Sequence, residues 1–138
     1  MTFRGMTPML NVTNLERSLA FYQAVAGLTQ ISSAEALNQW RWAYLQAGDM
    51  GLMLCESGGP PRPADANRRD AWEVIYYFYP TDVVALHTRL HAEGYAVSEL
   101  RDTFYGMREF ELRDPDGHLL WFGQERADVP PLVDPEVP

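Results

Sequence analysis

The sequence predicts an α+β fold assembled from one unit used twice, a strand and a helix followed by three more strands. Three observations carry that reading. Two amphipathic helical stretches begin at comparable points in the two halves of the 138-residue chain. Each half closes on a pair of strands, and a glycine- and proline-rich run from Ser57 to about Asp70 separates the halves. Module one spans about 5–57, the linker about 58–70 and module two about 71–124, with an acidic, proline-rich tail over 125–138. A single domain of this length buries roughly 65–70% of its unfolded surface, so its core needs neither disulfides nor metal.

The elements follow in order. Met6 to Thr13 reads as the first strand, with Pro8 placing it at an edge or a strand end because proline has no amide hydrogen for a ladder. Asn14 caps a helix over Leu15–Ala26, whose Leu15, Leu19, Tyr22 and Ala26 recur at helical spacing, and Gly27 stops it. A weak strand is expected over Leu28 to Ala34. Trp40 to Ala47 and Gly51 to Glu56 form two strands joined across Gly48-Asp49. In the second half Trp72 to Tyr79 is a strand rich in aromatic and branched residues. Asp82 opens a helix that carries Val83, Leu86 and Leu90 on its apolar side and ends at Gly94. Strands over Ala96–Leu100, Tyr105–Arg113 and His118–Gly123 complete the module. Asp114-Pro115-Asp116-Gly117 makes a turn between the last two, since proline presets one backbone angle and glycine tolerates positive φ.

Composition narrows the partners. The net charge is -8 and every basic residue is arginine, a field that disfavours nucleic acid and anionic membranes and mildly attracts cations. Cys55 is the only cysteine, which excludes an intrachain disulfide framework and a four-cysteine zinc site. It lies in an apolar run and reads as a small buried hydrophobe. Neither a signal peptide nor an apolar stretch approaching 18 residues is visible, so the cytoplasm is the expected compartment.

Two stretches read together carry a resemblance. Thr7–Tyr22 resembles the opening strand and helix of the vicinal-oxygen-chelate superfamily, which holds glyoxalases, bleomycin-resistance proteins and extradiol dioxygenases. Gly106–Gly123 resembles its closing hairpin, and the run Gly106-Met107-Arg108-Glu109-Phe110 is more typical of the bleomycin-resistance branch. The resemblance implies two βαβββ modules forming an incomplete barrel around a cleft. It also implies a homodimer, with ligand clefts between subunits.

In the superfamily's metalloenzymes, His, Gln or Glu ligands occupy inward strand positions. On this chain the resemblance places those positions at Thr7, about Ile75 and Trp121, with a fourth near Met53 or Cys55. Threonine, isoleucine and tryptophan do not supply the nitrogen and oxygen donors such a metal needs. A slip in register brings in Glu56 or Glu73, but one carboxylate does not rebuild a site. His87 and His91 are four apart on a helix and are read as surface residues, and His118 as a residue flanking the turn. No metal, cofactor or catalytic residue is therefore expected.

Aromatic residues take the place of ligands. Alternation puts Trp40, Trp42 and Tyr44 on one face of their strand, Ile75, Tyr77 and Tyr79 on another, and Leu119 with Trp121 on a third. In the familial register the last two groups line the cleft together with Thr7, Met9 and Asn11. Alternation does not say which way the Trp40 face looks, and the bland alternative is that these rings fill sheet–helix or subunit contacts. Arg108 and Glu109 lie on opposite faces, and Arg108 is expected to pair with a carboxylate or lie along apolar surface. Arg62, Arg68 and Arg69 sit on or beside the linker, and exposed arginines need no special reason there.

The leading expectation is non-catalytic sequestration of a bulky, cationic, partly aromatic antibiotic of the bleomycin type. Ligand-binding residues would be Trp121, Trp40, Trp42, Tyr77, Tyr79, Met9, Asn11 and Leu119. The alternatives are a lyase, isomerase or dioxygenase with displaced metal ligands, and a small-metabolite-binding module. A shared scaffold does not choose among them.

Overall fold

The structure, a computed structural model, describes residues 2–57 and 73–129. Two compact units are present. The first carries β1 (Met9–Val12), α1 (Leu15–Ala26), β2 (Thr29–Gln30), α2 (Ala34–Gln39), β3 (Trp42–Ala47) and β4 (Met50–Glu56). The second carries β5 (Ile75–Phe78), α3 (Val83–Ala92), β6 (Arg101–Asp102), β7 (Met107–Arg113) and β8 (Leu119–Glu125). A 3-10 turn at Arg126–Asp128 follows.

The two sheets repeat one topology. The strand orders are β1-β4-β3-β2 and β5-β8-β7-β6. In each, the strand before the helix pairs in parallel with the last strand, and the other pairs are antiparallel. The duplicated α+β unit expected from the sequence is present, with one addition. Residues 34–39 form a helix in the first unit, in the stretch between the weak strand expected over Leu28 to Ala34 and the strand expected from Trp40. Ser33 caps that helix by accepting from the Ala36 amide at 3.1 Å, and Ala-Glu-Ala-Leu-Asn-Gln is a run of mostly good helix formers.

One face of each sheet is closed by a helix. In the first unit Leu10, Val12, Ala43, Leu45, Leu52 and Leu54 share a face and are buried, as are Leu15, Leu19, Tyr22 and Val25 of α1. Asn14 accepts from the Arg17 amide at 2.9 Å, and Gly27 takes the left-handed conformation that ends the helix. In the second unit Phe78, Phe122 and Phe110 stack in a row across three strands, with centroids 5.2 and 5.1 Å apart. Beside this row, His87 of α3 meets the edge of Phe110 at 5.0 Å, while Val83 and Leu90 are fully buried.

The last four-residue turn departs from a plain surface loop. Asp114–Gly117 joins β7 to β8 but belongs by its contacts to the first unit. Asp116 accepts from the Thr13 hydroxyl at 2.6 Å and the Thr13 amide at 3.2 Å, and Asp114 accepts from the Tyr22 phenol at 2.6 Å. Both aspartates are buried.

The sixth strand is displaced from its expected place. Residues 96–100 do not form a ladder; the pairing residues are Arg101 and Asp102. At Ser98 the side-chain hydroxyl accepts from the Glu111 amide at 2.8 Å, while the Ser98 amide donates to the Glu111 carbonyl. That hydroxyl takes the role a strand carbonyl would have filled.

Candidate functional site

The face of each sheet turned away from its helix is lined by side chains of alternate parity, and on both sheets it carries aromatic rings. In the first unit this face carries Met9 and Asn11 of β1, both exposed, Trp42 and Tyr44 of β3, and Met53 and Cys55 of β4. The Trp42 and Tyr44 rings lie 6.5 Å apart and tilted by 52°. The Tyr44 phenol reaches over Gly51, where an added Cβ would meet it. Between this face, α2 and the residues before α2 lies a recess of about 430 Å³, lined in part by Ile31, Ala36, Trp40, Trp42, Tyr44 and Gln46.

Trp40 reaches that recess by a route the sequence did not predict. It is the C-terminal cap of α2, and 67% exposed, not a residue of β3. Strand alternation therefore does not relate it to Trp42. Between them Arg41 takes a left-handed backbone conformation, with φ of 52°, which costs a non-glycine residue about 1–2 kcal/mol. Two carboxylates hold it there. The Arg41 guanidinium donates to both oxygens of Glu16 at 2.8 and 2.7 Å and to both oxygens of Glu56 at 3.2 and 2.7 Å. The hydrogen bond from Arg41 pulls the Glu16 carboxyl down to about 2. Arg41's own bonds to Glu56, with one from the Leu15 amide, lower Glu56. Glu56, which a slipped register would have offered to a metal, is thus engaged in fixing the turn before Trp42.

The second unit presents a grid. Tyr77, Trp121 and Glu111 lie side by side on β5, β8 and β7, and in the next row Gly123, Glu109 and Arg101 lie side by side on β8, β7 and β6. Gly123 leaves a hollow, and the Tyr77 phenol leans into it to donate to Glu109 at 2.7 Å. Glu109 is 1% exposed. It also accepts from the Tyr105 phenol at 2.6 Å and from Arg101 Nε at 3.2 Å. Burial first, and then the bond to Glu109, push the Tyr77 phenol above its ordinary value near 10, and Tyr105 shifts the same way for the same reasons. Arg101 leans in the opposite direction and lays its guanidinium over Trp121, 4.8 Å from the ring centroid. The Tyr77 ring is 5.0 Å from that of Tyr79 and 6.3 Å from that of Trp121.

The structure therefore brings Tyr77, Tyr79 and Trp121 together on one unit, and Trp40, Trp42 and Tyr44 around a recess of the other. Leu119 shares the parity of Trp121 but is 3% exposed, so it offers a ligand no surface. Arg108 lies on the helix side and pairs with Asp102 at 2.7 Å, as a residue of its parity should. Glu73 pairs with Arg113 at 2.5 Å, and His87 Nε2 donates to the Ser98 carbonyl at 2.8 Å. Arg62, Arg68, Arg69 and the linker lie outside the described residues, as does the tail beyond Val129. Sequence reasoning missed Glu109, Arg101, Tyr105 and Arg41. The one available signal was a glutamate of inward parity, Glu109, on a strand facing aromatic neighbours.

A metal of the superfamily kind does not fit this donor set. Thr7, Ile75 and Trp121 stand at the ligand positions the resemblance implies, and among the described residues no three His, Cys, Asp or Glu side chains are grouped to hold an ion.

Comparison with known proteins agrees with the fold. The family model described as Glyoxalase/Bleomycin resistance protein/Dioxygenase superfamily matches residues 7–122. No curated protein matches the chain. Among solved structures, a lactoylglutathione lyase from Agrobacterium tumefaciens superposes with a TM-score of 0.67 at 21% identity, covering 92% of this chain and 98% of that one. TioX from Micromonospora sp. ML1 gives 0.68 at 24% identity over 87% and 97% of the two chains. The fosfomycin resistance protein FosX from Listeria monocytogenes gives 0.65 at 17% identity over 91% and 93%.

Proposed function

The chain belongs to the Glyoxalase/Bleomycin resistance protein/Dioxygenase superfamily, and from that premise we propose that it binds and sequesters a bulky, partly aromatic, cationic antibiotic of the bleomycin type, without chemistry. The observation that carries this reading is the ring-lined recess beside Trp42 and Tyr44. Its volume of about 430 Å³ lies in the range of small-molecule sites. That space admits one flat heteroaromatic unit and not a whole glycopeptide, so the rest of such a ligand would lie outside it. Flat rings gain roughly 0.5–1.5 kcal/mol per stacked pair beyond the burial of area. The net charge of -8 favours a ligand with a positive terminus.

Sequestration asks only for affinity and stoichiometry. A cytoplasmic location and a pair of identical chains belong to the same proposal, and sedimentation at micromolar concentration reads the second. The functional test is a tryptophan-fluorescence titration with bleomycin at physiological salt, backed by calorimetry. Saturation below about 1 µM, near -8 kcal/mol, is expected. No binding by about 100 µM, weaker than roughly -5.5 kcal/mol, would remove the reading.

A further inference from the structure

On the second unit the cation seat over Trp121 is already taken. Arg101 lies 4.8 Å from the indole centroid, 3.2 Å from Glu109 and 3.6 Å from Glu111. Three features make it an occupant that can leave. It stands on a two-residue strand at the edge of the sheet. Its side chain is 36% exposed. Its departure leaves Glu109 with two phenol donors, Tyr77 and Tyr105. The seat itself is anionic, because two carboxylates face one guanidinium, and Glu111, the cross-strand neighbour of Trp121, is 35% exposed.

We propose that Arg101 is a resident stand-in for the positively charged group of the ligand, displaced from Trp121, Glu109 and Glu111 by a planar aromatic cation and not by its neutral counterpart. The inference rests on the ring-binding reading above and adds to it the class of ligand that the second unit selects. A neutral ring meets a seat whose charge is already balanced by Arg101 and gains only stacking on Tyr77 or Tyr79. A cationic ring replaces the guanidinium charge for charge. It gains the face of Trp121 and the exposed carboxylate of Glu111 while Arg101 swings into water. The chain's own arginine thereby sets a threshold that excludes uncharged flat molecules from Trp121.

The test compares 1-methylquinolinium with quinoline, which is nearly the same shape and neutral at pH 7.5. Binding is followed by the Trp121 indole N–H resonance, assigned from Trp121→Phe, in the wild-type chain, Arg101→Met and Arg101→Lys. Removing the competitor in Arg101→Met should tighten the cationic probe roughly three- to thirtyfold, and quinoline by clearly less, since a neutral ring gains the freed Trp121 face but nothing from the two carboxylates. Arg101→Lys, which keeps a competing charge, should fall between. In the wild type, with no substitution at all, the cation and not quinoline should move the Arg101 Nε–H resonance to a solvent-exposed position. Weaker binding of both probes in Arg101→Met would make Arg101 a direct ligand contact and overturn the proposal. Equal binding of both probes in every form would overturn it too, while leaving the ring-binding reading intact. If neither probe perturbs Trp121 in any form, the second unit is no ring-binding face and the proposal falls, while the recess beside Trp42 and Tyr44 is judged by the bleomycin titration alone.

Discussion

The phenol of Tyr77 occupies the space that a Cβ on Gly123 would need, with ring carbon Cε1 2.9 Å from that position and the oxygen nearer still. Gly123 is required here for the room it leaves, since its backbone is ordinary strand. The absent side chain lets a tyrosine cross a neighbouring strand and reach a buried carboxylate on the next one, which in turn holds Arg101 and Tyr105. The polar half of the second unit's open face depends on that hollow.

Gly123→Ala should therefore expel the Tyr77 phenol and cost about 1–3 kcal/mol, the cost of removing a donor from a buried acceptor. Thermal unfolding measures the cost. An alkaline titration followed at 295 nm reads the cause. Wild-type Tyr77 should ionise well above 10, and in Gly123→Ala one tyrosine should return toward that value. Unchanged titration would mean that Tyr77 does not depend on the hollow.

Arg41 gives a prediction with a pH signature. Glu16 and Glu56 have depressed values when folded, so their contribution is present above the unfolded carboxylate range, near 4.5, and is lost as pH falls below it, toward about 2 for Glu16. Arg41→Ala should lower the melting temperature at pH 7, and the gap from wild type should close between about pH 5 and 2. Arg41→Gly relieves the left-handed strain and should be the more stable of the two variants by about 1 kcal/mol. A gap independent of pH would show that the carboxylates are not what Arg41 contributes.

Asp116 should be among the most sensitive polar positions. It accepts from the Thr13 amide and hydroxyl and lies within 3.5 Å of Arg17 and Ser18. Asp116→Ala is expected to cost roughly 2–4 kcal/mol by stranding buried donors. Chemical denaturation checks it, and a loss below about 0.5 kcal/mol would mean the turn is only a connection.

Truncating the rings separates the two faces. Trp42→Ala should weaken bleomycin binding by roughly five- to thirtyfold through lost stacking and area, with stability little changed because Trp42 is only half-buried. Trp121→Ala should weaken it as well and also release Arg101. Calorimetry on both variants is the check, and unaltered affinity in Trp42→Ala would move the site off the first unit.

The regular elements were legible because local signals and pattern agreed. Asn14 and Gly27 bounded α1, Asp82 began α3, and Gly48 and Gly117 marked turns. The short helix at Ala34–Gln39 was less visible, since six residues give no helical period to read, although Ser33 was a cap in plain sight. The rings of the site were legible as rings and not as positions. Alternation assumes a continuous strand, and Arg41 breaks it one residue before Trp42. Leu119 failed for a different reason: parity names a face but does not say whether that face is covered. The polar half of the second unit stayed hidden because the bonds around Glu109 span up to 32 residues of sequence, and no spacing rule reaches that far.

The turn at Asp114–Gly117 has a consequence for the order in which the chain can settle as it is made. Thr13, at the threshold of α1, donates to Asp116, which is synthesised 103 residues later, and Tyr22 likewise waits for Asp114. The first unit's helix and main strands precede its acceptors in the chain, and it lacks them until residues 114 to 116 have been released as well. Its helix and sheet can form early, but its final closure waits for Asp114 and Asp116. Translation products that stop before Asp114 should consequently remain open and vulnerable to proteases, and those that include Asp116 become resistant.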